Sequence, residues 1–279
     1  MKPTELFLPK VARVAAEQLQ LRRLQISEAK LTELSENRPQ KIDFIQALRN
    51  GPRPRIIAEV KRKSPSLGPL AMDLDPCNVA LGYARAGASA ISVLTESTFF
   101  GGSHEDLRRI RQVLPNHPLL LKDFVVDHYQ ILEASAYGAD AVLLIHNLLG
   151  PEKTRDFYSF ACRLGLTPLI EVHDPAEFAD AVSLGARLIG VNNRNLATLK
   201  TDLNVSSQLI SSQISVKESG ITMVSESGLN TAQDIKKLDA LGFDAYLIGT
   251  SLMRNRNPET ALSELLKNFS TDGPDRETP

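Results

Sequence analysis

The sequence predicts an α/β fold, a single (β/α)8 barrel preceded by a helical extension. One observation is a cadence. Four times a helix-like segment ends in glycine and, after two intervening residues, an apolar run begins: Gly87 before Ala90–Leu94, Gly138 before Ala141–Ile145, Gly185 before Leu188–Val191 and Gly242 before Ala245–Ile248. A glycine just past a helix end takes the left-handed capping conformation at little steric cost. Short runs that are apolar on both faces suit the strands of a buried parallel sheet. A second observation is the spacing. The instances recur about every 50 residues, which is right for two βα units and too long for one. Four further runs fall between them: Ile56–Val60, Leu119–Lys122, Pro168–Val172 and Ile221–Ser225. A third is length, since 279 residues accommodate one barrel of ~250 residues and an extension.

Taken in order, residues 1–54 lie outside the repeat. Leu6 to Leu34 reads as one helix, with Val11, Val14, Ala15, Leu19 and Leu21 among its apolar positions. Ile42, Phe44, Ile45 and Leu48 mark a second helix, ended by Asn50-Gly51-Pro52. So short a segment is marginal alone, and we expect it to pack on the barrel. Residues 55–269 form the barrel, each strand followed by a helical stretch. Asp174-Pro175-Ala176-Glu177 has the caps of a helix start: an Asp acceptor, Pro in the first turn, and an acid at the positive end. An open doubly wound sheet would carry a Gly-rich turn after its first strand, and none occurs there. The tail 270–279, STDGPDRETP, is polar and expected to fray.

Composition removes several classes of function. The formal net charge is -1, so no global basic field invites nucleic acid. No run approaches the ~20 apolar residues of a membrane span, and Met1 to Lys10 does not read as a signal peptide. A cytoplasmic protein is expected; nothing fixes its oligomeric state, and a monomer is compatible with the sequence. Cys77 and Cys162 have neither disulfide nor zinc spacing and read as buried or half-buried thiols. His104, His117, His128, His146 and His173 show no ligand spacing, so no metal is expected. Arg108, Arg109 and Arg111 read as a solvated helix face.

Active sites of such barrels lie at the C-terminal ends of the strands. There the sequence places Glu59 and Lys61 on the first strand, Lys122 on the third, Glu171 on the fifth, and Asn192 and Arg194 on the sixth. Residues two apart on a strand share a face, so Glu59 and Lys61 point together, as do Asn192 and Arg194. Each buried ion costs several kcal/mol unless paired. A convergence of this kind is poor for stability and suits catalysis. Ser227-Gly228 and Gly249-Thr250 follow the last two strands, the usual position for a phosphate bound by backbone N–H groups and a helix N-terminus. The segment Lys63–Pro69 reads as a mobile cover. These residues alone leave three readings open: proton-transfer enzyme, phosphate-binding isomerase or lyase with Lys122 as a Schiff-base lysine, and non-catalytic phosphate sensor.

At this point the motifs resemble a family. Ile57–Ser66, Ser92–Glu96 with Phe100–Ser103, Leu121–Phe124, Ile170–Asp174, Ile189–Leu196, Val224–Gly228 and Ile248–Arg254 fall in the order seen in indole-3-glycerol phosphate synthases, from the extension to about Leu266. The resemblance implies a (β/α)8 TIM barrel and conversion of 1-(2-carboxyphenylamino)-1-deoxyribulose 5-phosphate to indole-3-glycerol phosphate in tryptophan biosynthesis, with loss of carbon dioxide and water and no cofactor. It implies Lys122 as general acid, Glu171 as general base, and Lys61, paired with Glu59, as holder of the substrate carboxylate and proton donor for dehydration. Asn192 and Arg194 would orient the anilino group and hydroxyls. Ser64, Ser227, Gly228, Gly249 and Thr250 would hold the phosphate, while Phe100, Phe124 and Leu196 would wall the aromatic ring. Leu67, where the family often has a basic residue, and Thr250, where serine is common, depart from the pattern.

Overall fold

The computed structural model describes residues 7–38, 41–211 and 220–271. The segment before the barrel departs from the sequence reading. Where one helix was expected over Leu6–Leu34, there are two, α1 (Phe7–Gln25) and α2 (Glu28–Glu36). Ser27 stops the first because its hydroxyl accepts from Lys30 N and starts the second as an N-cap. Val11, Ala15 and Leu19 are buried, but Leu21 is exposed, having rotated off the face that meets the barrel. A third helix, α3 (Phe44–Asn50), buries Phe44, Ile45 and Leu48.

Eight parallel strands then close into a barrel. The first, β1 (Ile56–Val60), is followed by a short hairpin outside the barrel, β2 (Lys63–Ser64) with β3 (Gly68–Pro69). The other barrel strands are β4 (Ala90–Leu94), β5 (Leu119–Lys122), β6 (Ala141–Ile145), β7 (Thr167–Val172), β8 (Leu188–Asn192), β9 (Thr222–Glu226) and β10 (Ala245–Ile248), and β10 pairs back to β1. The fifth barrel strand opens one residue earlier than its apolar run suggests. The sixth and seventh each end on a polar residue that the run did not count, Asn192 and Glu226. The shell helices are α4 (Pro76–Ala86), α5 (His104–Val113), α6 (His128–Ala136), α7 (His146–Arg163), α8 (Pro175–Ser183), α9 (Asn204–Ser211), α10 (Ala232–Leu241), α11 (Thr250–Met253) and α12 (Pro258–Thr271). Gly87 and Gly242 cap α4 and α10 at φ 99° and 105°, and Gly138 and Gly185 also have positive φ.

Alternation along the strands builds two apolar layers. Ile56, Ala58, Ile91, Leu119, Leu121, Val142, Leu144, Ile170, Ile189 and Met223 face the helices. Ile57, Ala90, Leu120, Ala141, Leu143, Leu169, Leu188, Val224 and Ala245 fill the lumen, and Phe44, Ile45 and Leu48 of α3 join this second layer. Burying a side chain of this size contributes roughly 1.5–3 kcal/mol, so shifting a strand by one residue would exchange both layers and is strongly disfavoured.

Three smaller expectations meet the structure differently. Leu6 and 272–279 lie outside the described residues, while Ser270 and Thr271 close α12 and are helical. Cys77 is buried, but Cys162 is exposed, since it falls on the outer face of α7. Arg111 is not solvated: it donates to Asp140 and to the carbonyls of Gly138, Leu114, Pro115 and His117. No helix among the described residues is long and apolar enough to cross a membrane.

Candidate active site

The lumen-facing positions change character along each strand. Leu120 is followed two residues later by Lys122, Leu169 by Glu171, Ile57 by Glu59, and Val224 by Glu226, so the apolar plug ends in a charged floor at the C-terminal rim. Above it lies a cavity of about 430 Å³. Lys61, Ser64, Phe100, Lys122, Phe124, Glu59, Glu171, Asn192, Arg194, Leu196, Ser227, Gly228, Gly249 and Thr250 all line it, so every site residue expected from the sequence reaches one space.

The floor is an ionic cluster. Lys122 Nζ lies 3.2 Å from Glu226 Oε2 and 3.4 Å from Glu171 Oε2. Lys61 donates to Glu59 Oε1. Burial pulls the Lys122 ammonium down, but Glu226, Glu171 and Glu59 together outweigh it, and its pKa lies above the ordinary lysine value. Burial pushes Glu226 up to about 7 against the pull of Lys122, with Glu171 and Glu59 adding to the rise. Burial lowers Arg194, and Glu59 opposes that. Two glycines make room for the carboxylates. A Cβ on Gly190 would collide with Glu226 Oε1, and one on Gly249 would collide with Glu59 Oε1.

One side of the cavity is aromatic. The Phe100 and Phe124 rings lie 6.0 Å apart, and Leu196 shares the wall. Glu96 fixes the loop that carries Phe100 by accepting the backbone N–H groups of Thr98, Phe99 and Phe100. The other side is small and polar. Ser64 Oγ is buried with no hydrogen-bond partner among the described residues. Ser227, at φ 66°, holds a left-handed conformation uncommon for a side-chain-bearing residue, and Gly228 follows at φ 83°. The expected cover is the β2–β3 hairpin. Arg62 ties it to Gly101 O and Asp106, and Lys63 ties it to Thr98 O.

Sequence reasoning missed four contributors. Glu226 has lumen parity on the seventh barrel strand, a signal present in the alternation Val224, Glu226. Phe7 lines the cavity from α1 and packs edge-on to Phe99 and Phe124 at 5.5 Å and 6.3 Å; nothing in its local pattern says so, because the contact spans the chain. Gly190 was read only as part of an apolar run. His173 was set aside with the other histidines, yet it stands between Glu171 and Glu177.

A closed parallel barrel with a buried cluster of paired carboxylates and lysines at the carboxyl ends of its strands has the arrangement of a barrel enzyme. The indole-3-glycerol phosphate synthase family model matches residues 8–265, and the chain belongs to that family. Similar curated relatives, each named indole-3-glycerol phosphate synthase, include one from Microcystis aeruginosa, 44% identical over 81% of this chain and 77% of its own length. Others are from Dehalococcoides mccartyi, 43% identical over 89% and 95%, and Aquifex aeolicus, 45% identical over 85% and 90%. Among solved structures, KGPDC from Streptococcus mutans gives a TM-score of 0.57 at 13% identity, covering 78% of this chain and 97% of its own. Thiamine phosphate pyrophosphorylase from Pyrococcus furiosus gives 0.56 at 16%, covering 77% and 95%. These two share the fold.

Proposed function

We propose that this cavity forms indole-3-glycerol phosphate with Lys122 as general acid and Glu171 as general base. As a member of its family the chain is a carboxy-lyase of tryptophan biosynthesis. The substrate is the phosphorylated 1-(2-carboxyphenylamino)-1-deoxyribulose 5-phosphate. Its ring carbon attacks the ketone, Lys122 gives a proton to the ketone oxygen, and the bond to the carboxylate breaks as carbon dioxide leaves. The new hydroxyl then leaves as water, protonated by Lys61, and Glu171 takes the proton whose loss completes the indole. The observation that carries this reading is Lys122 seated between Glu171 and Glu226. Those carboxylates keep it an ammonium, the protonation state that a general acid starts from. A Schiff-base lysine needs the neutral amine.

In this reading Lys61, with Glu59, receives the substrate carboxylate. Asn192 and Arg194 orient the anilino nitrogen and the hydroxyls. Asn192 Oδ1 accepts from Arg194 N at 2.9 Å, a bond that supports their joint placement. Phe100, Phe124 and Leu196 pack on the aromatic ring. Ser64, Ser227, Gly228, Gly249 and Thr250 take the phosphate, with the unpartnered Ser64 Oγ as a ready donor. The extension 1–54 would serve the site through Phe7, and the cytoplasm is the compartment we assign.

The test is ultraviolet detection of the indole chromophore when the protein meets the anilino substrate with nothing added. Product is expected, and borohydride should leave the protein mass unchanged. Absence of product would overturn the function; a reduced adduct on Lys122 would overturn its role as acid.

A further inference from the structure

Strand β7 leads into Glu171-Val172-His173, so the carboxylate and the imidazole share a side. Glu171 directs Oε2 at Lys122. Its Oε1 is buried, has no hydrogen-bond partner among the described residues, and faces His173 Nε2, equally unpartnered, at 3.5 Å. The other ring nitrogen, Nδ1, lies 3.3 Å from Glu177 Oε2, which also accepts His173 N at 2.7 Å. Glu177 Oε1 accepts from Asn147 Nδ2 at 2.7 Å. The N-cap Asp174 fixes the first turn of α8, which carries Glu177, by accepting from Ala176 N and Glu177 N. The imidazole is thus clamped between two carboxylates, one structural and one at the cavity floor.

We propose that His173 is a positioning residue for Glu171: as an imidazolium held by Glu177, it draws Glu171 Oε1 to itself and keeps Oε2 turned toward Lys122 and the substrate. The inference rests on Glu171 being the base. Three charged groups bear on the ring: Glu171 from β7, Glu177 from α8 and Glu226 from β9; α7 contributes the neutral Asn147. Burial opposes charge on His173, and these carboxylates outweigh it, so its pKa is raised. The charged ring carries N–H on both nitrogens and can donate to both carboxylates. A neutral ring keeps one proton, which Glu177 holds at Nδ1, and Nε2 then sets a lone pair against Glu171 Oε1. Turnover should therefore fall as pH rises through the raised pKa of His173. Lys122 titrates far above the histidine range, but Glu226 is pushed up to about 7, so the limb is assigned to His173 by its loss in His173→Gln and its shift in Glu177→Gln.

The experiment is the pH profile of kcat for the full chain, for His173→Gln and for Glu177→Gln, each with KM and with Kd for indole-3-glycerol phosphate. The unaltered chain should show the alkaline limb. His173→Gln should lack it and lose at least about tenfold in kcat near neutrality, with KM and product Kd within about twofold. Glu177→Gln removes a carboxylate that favours the charged ring, so its limb should move to lower pH. The inference is overturned if His173→Gln keeps the original kcat and limb, if it loses product affinity in step with kcat, or if the limb stays put in Glu177→Gln. Failure of the unaltered chain to form any product would count against the proposed function instead, so the two failures are separable.

Discussion

The barrel buries ions at both ends, and the two clusters are built differently. At the N-terminal end Asp140 uses both carboxylate oxygens. Oδ1 accepts from Arg38 Nη2 at 3.0 Å and Ile42 N at 3.1 Å, and Oδ2 accepts from Leu119 N at 3.0 Å and from Arg111. Arg38 and Arg111 direct further N–H groups to main-chain carbonyls. At the C-terminal end Glu59, Glu171 and Glu226 face two lysines, and Glu171 Oε1 and Glu226 Oε1 have no hydrogen-bond partner among the described residues. Burial lowers Arg38 and Arg111 even beside Asp140, whereas three carboxylates raise Lys122 despite its burial. A buried ion whose acceptor positions are all filled by fixed protein donors suits a scaffold. A cluster with more carboxylate oxygens than protein donors suits proton transfer.

That contrast can be broken most severely at the scaffold end. Asp140→Ala leaves two buried guanidiniums without their counter-charge, and unfolding by urea should show a loss of about 3–5 kcal/mol, with kcat per folded molecule unchanged. A large fall in kcat with little loss of stability would reverse the roles assigned to the two ends.

At the rim the expected effect is kinetic. Glu171→Gln keeps size and hydrogen bonding but cannot serve as a base. Its kcat and kcat/KM should fall together by at least about 100-fold while a product analogue still binds. A raised KM at unchanged kcat would make Glu171 a binding residue and move attention to Glu59.

Opposite the acid–base floor, the turns after β9 and β10 are expected to act through binding. Charge-assisted hydrogen bonds contribute about 1.5–3 kcal/mol each, so removing the substrate phosphate should lower kcat/KM by at least about 100-fold, and inorganic phosphate should compete. Equal kinetics for both substrates would empty that end of the cavity of its assigned role. The smallest effect is expected far from both clusters. Ser27→Ala removes the cap between α1 and α2 and should cost about 1 kcal/mol, read as a lower denaturation midpoint with kinetics intact.

What was legible in the sequence follows from what is local. Strand parity is a period of two, so Lys122, Glu171 and Glu59 could be placed on the lumen from their own neighbours. Positive φ at Gly87 and Gly242 could be expected because helix caps are local as well. The split at Ser27 was equally local and was overridden by the apolar pattern on either side of it. Glu226 had the same lumen parity as Glu171 and was passed over because no role was sought for it. Phe7 was different: it acquires its place from Phe99, far away in the chain, and only packing of α1 on the barrel brings it there. Arg111 was misread because a guanidinium on a polar helix face looks solvated until Asp140 arrives from the next βα unit.

The central claim, that Lys122 is the acid of a proton-transfer site, is tested most directly by the turnover number of Lys122→Met on the anilino substrate. Methionine fills the lysine stem and removes the ammonium. The account predicts a protein that folds and binds product but turns over at least about 100-fold more slowly. Turnover near that of the unaltered chain would contradict it.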